Sequence, residues 1–61
     1  MARFALVIEG LNWTDLDEIE MSQPPAVGEP IGTKYGTCLV TRFEPLPDSP
    51  EYAGKITCRL P

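Results

Sequence analysis

Seven prolines and five glycines interrupt this 61-residue chain so often that no long helix fits between them. The densest interruption is "PPAVGEPIGTKYG", residues 24–36, and a second one, "EPLPDSPEYAG", covers residues 44–54. Proline cannot donate a hydrogen bond to a strand ladder, and glycine adopts the backbone angles that sharp turns need. Both segments therefore predict connections between short strands and not catalytic loops.

Three segments outside these connections have the residue pattern of strands. The segment "RFALVI" places Phe4, Leu6 and Ile8 on one side of the chain, which is the two-residue period of a pleated strand. The segment "TCLVTRF", residues 37–43, is rich in β-branched and aromatic residues and is predicted to be the central strand. The segment "KITCRL", residues 55–60, alternates apolar with polar residues and predicts a last strand.

The segment "LNWTDLDEIEM", residues 11–21, fits two structures. A short helical turn over residues 14–20 would begin at a capping threonine and hold acidic residues at the positive end of its dipole. As a strand, the same segment places Asp17, Ile19 and Met21 on one face. We favour the strand because the neighbouring segments are predicted to be strands.

A short strand near "EPI" and a hairpin over Gly32 to Gly36 complete a set of five strands. Five short strands in so small a chain predict one all-β domain, residues 1–61. A closed or half-closed barrel is expected, because closure removes the exposed edges that a flat sheet leaves.

The segment "PPAVGEPIGTKYGTCLVTRFEP", residues 24–45, resembles a pattern found in small SH3-like β-barrel proteins, including uncharacterised bacterial and phage proteins. The shared pattern is Pro-x-Val-Gly-Glu-x-Ile followed by an apolar strand, and it covers about a third of the chain. The resemblance implies a five-stranded SH3-like barrel, with an OB-like barrel as the alternative. It implies no function, because a fold of this kind hosts many unrelated functions. No "ALYDY"-like run of the peptide-binding SH3 domains is present.

The charge of the chain disfavours several classes of function. Nine acidic and five basic residues give a formal net charge of −4, and a nucleic acid is repelled by such a chain at long range. There is no histidine, which removes the usual general base and the usual zinc ligand. We therefore predict a protein that is not an enzyme and binds neither a cofactor nor a metal.

The start of the chain, "MARFALVIEG", has a five-residue apolar run, shorter than the roughly 7 to 15 residues of a signal-peptide core. No segment approaches the roughly 20 apolar residues of a membrane span. These two observations predict a cytoplasmic protein that does not enter a membrane.

The two cysteines are predicted to lie opposite each other. Cys38 and Cys58 are equidistant from Asp48, so a hairpin folded symmetrically about Asp48 pairs them and also pairs Val40 with Ile56. Opposed residues are close enough for a disulfide. Because the chain is predicted to be cytoplasmic, we expect facing, reduced thiols on the core side. One extra residue in a bulge would slip this register and send one sulfur to the opposite face.

Two sets of residues are candidates for binding a partner. The first is the acidic run in "DLDEIE", which is either a solvated face or a surface that docks onto Lys and Arg of a partner. The second is the apolar side of the segment "TCLVTRF" opposite its cysteine, where an uncovered patch would form a binding or dimer interface. The candidates are Asp15, Asp17, Glu18, Glu20, Leu39 and Phe43.

The combined observations favour a non-enzymatic module that binds a larger protein or assembly, or serves it as a structural accessory. The expected partner has a basic surface, and a second copy of the chain is a further partner. One alternative is an acidic inhibitor of a nucleic-acid-binding protein. Another is single-stranded nucleic-acid binding on an OB-like face, with aromatic side chains such as Tyr35 and Phe43 as stacking platforms and arginines along the backbone path.

Overall fold

Five strands and no helix make up the computed structural model, which describes all 61 residues. This confirms the all-β prediction, and residues 14–20 belong to a strand and not to a helical turn. None of the elements is a helix with the length and apolar character needed to cross a membrane. The strands are β1 (Ala2–Glu9), β2 (Thr14–Met21), β3 (Pro30–Thr33), β4 (Gly36–Pro45) and β5 (Gly54–Arg59).

The strands form one strongly curled sheet in the order β2-β1-β5-β4-β3, which makes a half-barrel. Strands β1 and β5 run parallel, and every other neighbouring pair runs antiparallel. The prediction that "TCLVTRF" is the central strand is wrong, because β5 lies between β1 and β4. The apolar residues of a strand indicate how much of the strand is buried. They do not determine the position of the strand in the sheet.

The hydrophobic core lies on one face of the curled sheet. Alternate residues of the strands point into it, as the two-residue period of "RFALVI" and "KITCRL" predicts. All eight core residues are at most 7% exposed. They are Phe4, Leu6, Ile8, Ile31, Cys38, Val40, Ile56 and Cys58.

A bulge in β4 changes which of its residues face the core. The pairing of β4 with β5 shifts between Val40 and Arg42, so that Val40 lies opposite Cys58 and Phe43 lies opposite Ile56. One extra residue in a strand reverses the side to which the following residues point. Phe43 therefore packs against the core.

The prediction that Leu39 and Phe43 share a face is consequently wrong. Phe43 is half-buried and meets the ring of Phe4 edge-on, with 5.9 Å between ring centroids. Leu39, before the bulge, stays on the outer face with 41% of its surface exposed. The two residues do not form one apolar patch.

The two cysteines form a disulfide, and the prediction of reduced thiols is wrong. The register symmetric about Asp48 is also wrong, since Val40 and not Cys38 lies opposite Cys58. A shift of two residues in the pairing register keeps the same side chains of a strand on the core face. Both sulfurs therefore remain on the core side as predicted. Their Cα atoms are 5.6 Å apart, within the range that a disulfide spans.

The Pro- and Gly-rich segment after β2 forms a connection and a hairpin, as predicted. Pro25 is buried, and the chain then turns at Gly28, whose φ of 90° suits glycine. The N–H of Glu29 donates to the carbonyl of Ala26 at 3.1 Å across this turn. The hairpin from β3 to β4 is equally tight, and it places Lys34 and Tyr35 at its tip.

Candidate functional site

The acidic run of β2 is divided between two faces of the sheet. Asp15 and Asp17 lie opposite core-facing residues of β1, whereas Glu18 and Glu20 lie opposite outward-facing residues of β1. The alternation of a strand produces this division. The four carboxylates therefore do not form a single row, and each of them has different neighbours.

Asp15 joins the two edges of the sheet. The hydroxyl of Tyr35 donates a hydrogen bond to its carboxylate, and the Nζ of Lys34 lies 3.2 Å from the same oxygen. The indole of Trp13 packs on the Tyr35 ring with centroids 4.9 Å apart. Strand β2 and the β3–β4 hairpin are the outer elements of the sheet, so these side chains close one end of the half-barrel.

The charges at this contact shift the pKa values of all three groups. The Tyr35 hydrogen bond, followed by the one from Lys34, lowers the pKa of Asp15. The hydrogen bond to Asp15 raises the pKa of Lys34 and that of Tyr35. Because Tyr35 and Lys34 both engage its carboxylate, Asp15 is part of the fold, and Asp17, Glu18 and Glu20 are the other acidic side chains of β2.

Strand β2 leaves one backbone edge without a neighbouring strand. On β1, the carbonyls of Arg3 and Glu9 accept hydrogen bonds from the β5 side, from Ala53 and Leu60. The alternate residues of β1 therefore bond to β2 through Asp15, Asp17 and Ile19. The residues between them in β2, Leu16 and Glu18, point both the backbone N–H and the C=O toward the free edge.

Two of the outward N–H groups on this edge are already bonded. The N–H of Leu16 donates to Asp15 Oδ1, and the N–H of Glu18 donates to Asp17 Oδ1, both at 2.9 Å. The edge consequently offers few donors, while the carbonyls of Leu16 and Glu18 remain as acceptors. An edge with few free donors is a poor template for the addition of another strand.

A shallow depression of about 340 Å³ lies beside this edge. The hydroxyl of Tyr52 donates to Glu18 Oε2 at 3.3 Å, and Arg3 Nε lies 3.6 Å from the same oxygen. Leu16 has 73% of its surface exposed. The negative charge of Glu18 is the main cause that raises the pKa of Tyr52. The depression is lined by Leu16, Asp17, Glu18 and Tyr52, and we call it the β2-edge depression.

Most of the basic side chains are paired with acidic side chains of the same chain. Arg3 pairs with Glu18 and Lys34 with Asp15, and both Arg42 and Lys55 approach Glu44. Among the acidic residues of β2, Asp17 and Glu20 have no basic group within ion-pair distance. The chain therefore presents an excess of uncompensated negative charge on β2.

A second depression, of about 260 Å³, lies beside the C-terminal ends of β1 and β5. It contains the indole of Trp13 and the guanidinium of Arg59, which has no carboxylate within ion-pair distance. The two aromatic groups that the sequence suggests as stacking platforms make internal contacts, Tyr35 with Trp13 and Phe43 with Phe4. A track of several free cations beside stacked rings is not formed.

Sequence reasoning did not place Tyr52 and Arg3 beside the acidic run of β2. Tyr52 lies 34 residues from Glu18 along the chain, and its loop reaches β1 through the bond from the Ala53 N–H to the Arg3 carbonyl. The Arg3–Glu18 pair had a signal, since a hairpin of "RFALVI" with "DLDEIE" brings opposite charges together. No group of three or more Cys, Asp or Glu side chains is arranged to hold a metal ion.

Comparison with known proteins finds no matching family model, no matching curated protein and no matching solved structure.

Proposed function

We propose that this chain is a non-enzymatic protein-binding module that docks through the acidic edge of β2 onto a basic surface of a larger protein or assembly. The observation that carries the proposal is the exposed Leu16 beside two carboxylates without an internal ion pair, Asp17 and Glu20. Burial of an apolar side chain supplies affinity, because apolar surface is removed from water. The surrounding charges select the partner and orient it.

The geometry favours a different protein over a second copy of the chain as the partner. Two β2 edges brought together would place carboxylates against carboxylates, which repel. The opposite edge, β3, has four residues and begins with Pro30, so it offers little backbone for strand pairing. A dimer of the chain would therefore have to form through a surface other than the β2 and β3 edges.

The two alternatives have less support. An acidic inhibitor of a nucleic-acid-binding protein would use the same carboxylates, and it is a special case of the proposed function in which the partner surface is a nucleic-acid site. Single-stranded nucleic-acid binding is supported only by Trp13 and Arg59 in the second depression. One free cation supplies far less affinity than the several phosphate contacts that such proteins make.

The test is capture of a partner by the tagged chain from a lysate of its source organism. We expect a protein captured at moderate salt to be lost with the double variant Asp17→Asn/Glu20→Gln. The matched control is Glu29→Gln/Asp48→Asn, which changes the net charge equally and leaves β2 intact. Capture that is equal for both double variants would show that the β2 edge is not the docking surface.

A further inference from the structure

We propose that the β2-edge depression binds a single arginine side chain of the partner. This inference rests on the proposed function and deepens it, because it names the group that the partner inserts. The depression combines four features that are complementary to arginine: carboxylates, free carbonyl acceptors, an aromatic ring and an aliphatic wall.

The hydrogen-bonding groups of the depression are almost all acceptors. The N–H groups of Leu16 and Glu18 are bonded to Asp15 and Asp17, while their carbonyls face outward. The carboxylate of Asp17 keeps a second oxygen free of hydrogen bonds and ion pairs. A guanidinium has five donors and no acceptor, so its needs match those of this edge.

The apolar groups of the depression fit the rest of an arginine side chain. The methylene stem of arginine covers apolar surface such as Leu16 while its head stays with the charges. The ring of Tyr52 is held beside Glu18 by the 3.3 Å hydrogen bond of its hydroxyl. A planar guanidinium stacks on such a ring, and an ammonium group lacks this planar surface.

The chain itself provides a precedent for this contact. Arg3 already places its guanidinium 3.6 Å from Glu18, on the side of Glu18 that faces β1. Asp17, which also lines the depression, has no basic group within ion-pair distance. The outward side of the depression therefore still attracts a cation.

Strand addition is the competing mode of docking, and the same edge disfavours it. An added strand needs donors as well as acceptors on the edge that it joins. The N–H groups of Leu16 and Glu18 are already bonded, so the middle of this edge lacks the donors that an added strand needs. The mode of docking that remains is the insertion of a partner side chain into the depression.

The test uses the blocked tripeptide Gly-Arg-Gly, added to the isotope-labelled full chain and followed by amide chemical shifts. We expect saturable shifts at Leu16, Glu18 and Tyr52, with no such shifts from the neutral peptide Gly-citrulline-Gly. Asp17→Asn should weaken binding about fivefold, at the upper end for an exposed ion pair. Tyr52→Leu, which removes the ring, should weaken it most, and Tyr52→Phe, which keeps the ring but loses the hydrogen bond to Glu18, should weaken it less.

Asp48→Asn is the charge-matched control, and we expect it to bind the arginine peptide as the unaltered chain does. Shifts of equal size with Gly-Lys-Gly, or shifts spread over all acidic residues, would overturn the inference. If the peptide fails to bind while the β2 double variant still loses its partner, the inference is wrong and the proposed function stands. If the peptide binds while that variant still captures its partner, the depression binds arginine and the proposed function is wrong.

Discussion

The carboxylate of Asp15 links the acid stability of the protein to a single contact. Its hydrogen bond from Tyr35 lowers the pKa of Asp15 in the folded chain below the ordinary value of 3.8. The stabilisation is therefore fully present above that value and is lost as the pH falls through the folded pKa. We expect Asp15→Asn to lower the urea midpoint at neutral pH and to flatten its decline below about pH 4.

The control for this titration is Asp48→Asn, because Asp48 is exposed and makes no ion pair. At acid pH, its urea midpoint should fall with pH in the same way as that of the unaltered chain. At alkaline pH, the pH dependence of stability has the opposite sign, since the pKa of Tyr35 is raised above 10.0. That stabilisation is present below this value and disappears as the pH rises through the folded pKa. A decline at acid pH that is unchanged in Asp15→Asn would contradict the role of this contact.

Gly10 is the residue on which the indole of Trp13 rests. A Cβ at position 10 would overlap the Trp13 ring, so Gly10→Ala forces the indole to move. Overpacking of this kind costs about 1–3 kcal/mol. We expect a lower free energy of unfolding in urea and a changed Trp13 fluorescence, because the indole also packs on Tyr35. Gly32→Ala, where no atom lies within 4 Å, is the control, and an equal effect in both variants would rule out the indole as the cause.

Strand β4 carries two large apolar side chains whose contributions to stability should differ because of its bulge. Phe43 packs on Phe4 and covers Gly54, so Phe43→Ala should cost about 2 kcal/mol, less than a fully buried phenylalanine. Leu39 lies on the outer face, and Leu39→Ala should stay within about 0.5 kcal/mol. Urea unfolding of the two variants measures the difference. Equal losses would mean that the bulge is misplaced.

The strands themselves were predictable from the sequence, whereas their pairing was not. The two-residue period placed the core residues of β1 and β5 and the faces of β2 correctly, because burial acts on each strand separately. The bulge near Thr41 had no glycine or proline to announce it, and it moved Phe43 to the other face. The contact of Asp15 with Tyr35 joins residues 20 positions apart and depends on the curl of the whole sheet. Local pattern contains neither kind of information.

At the scale of the whole molecule, the disulfide compensates for a small core. The hydrophobic core contains only eight residues, and domains of this size are marginal when alone. The cysteines are separated by 20 residues, and closing such a loop stabilises a chain by about 3 kcal/mol in the chain-entropy account. We expect Cys38→Ala/Cys58→Ala to lower the unfolding free energy by about that amount. Thiol titration in denaturant without reductant should find no free cysteine, and two titratable thiols would contradict the bond.

The same bond provides a test of the cytoplasmic prediction. Reducing compartments keep most cysteines as thiols, so a chain that works there has to stay folded without the bond. Circular dichroism in the presence of reductant measures this directly. A native spectrum retained at 37 °C is the result that a cytoplasmic protein requires, and unfolding on reduction would assign the chain to an oxidising compartment.

The position of β5 between β1 and β4 determines when this sheet can form during synthesis of the chain. Until β5 has been made, the chain contains only two separate hairpins, β1 with β2 and β3 with β4. A two-stranded hairpin is at best marginally stable in water. The sheet therefore forms only after synthesis has passed residue 59, through contacts between segments about 50 residues apart. We therefore expect late, concerted folding, with the apolar strands exposed until β5 has been synthesised.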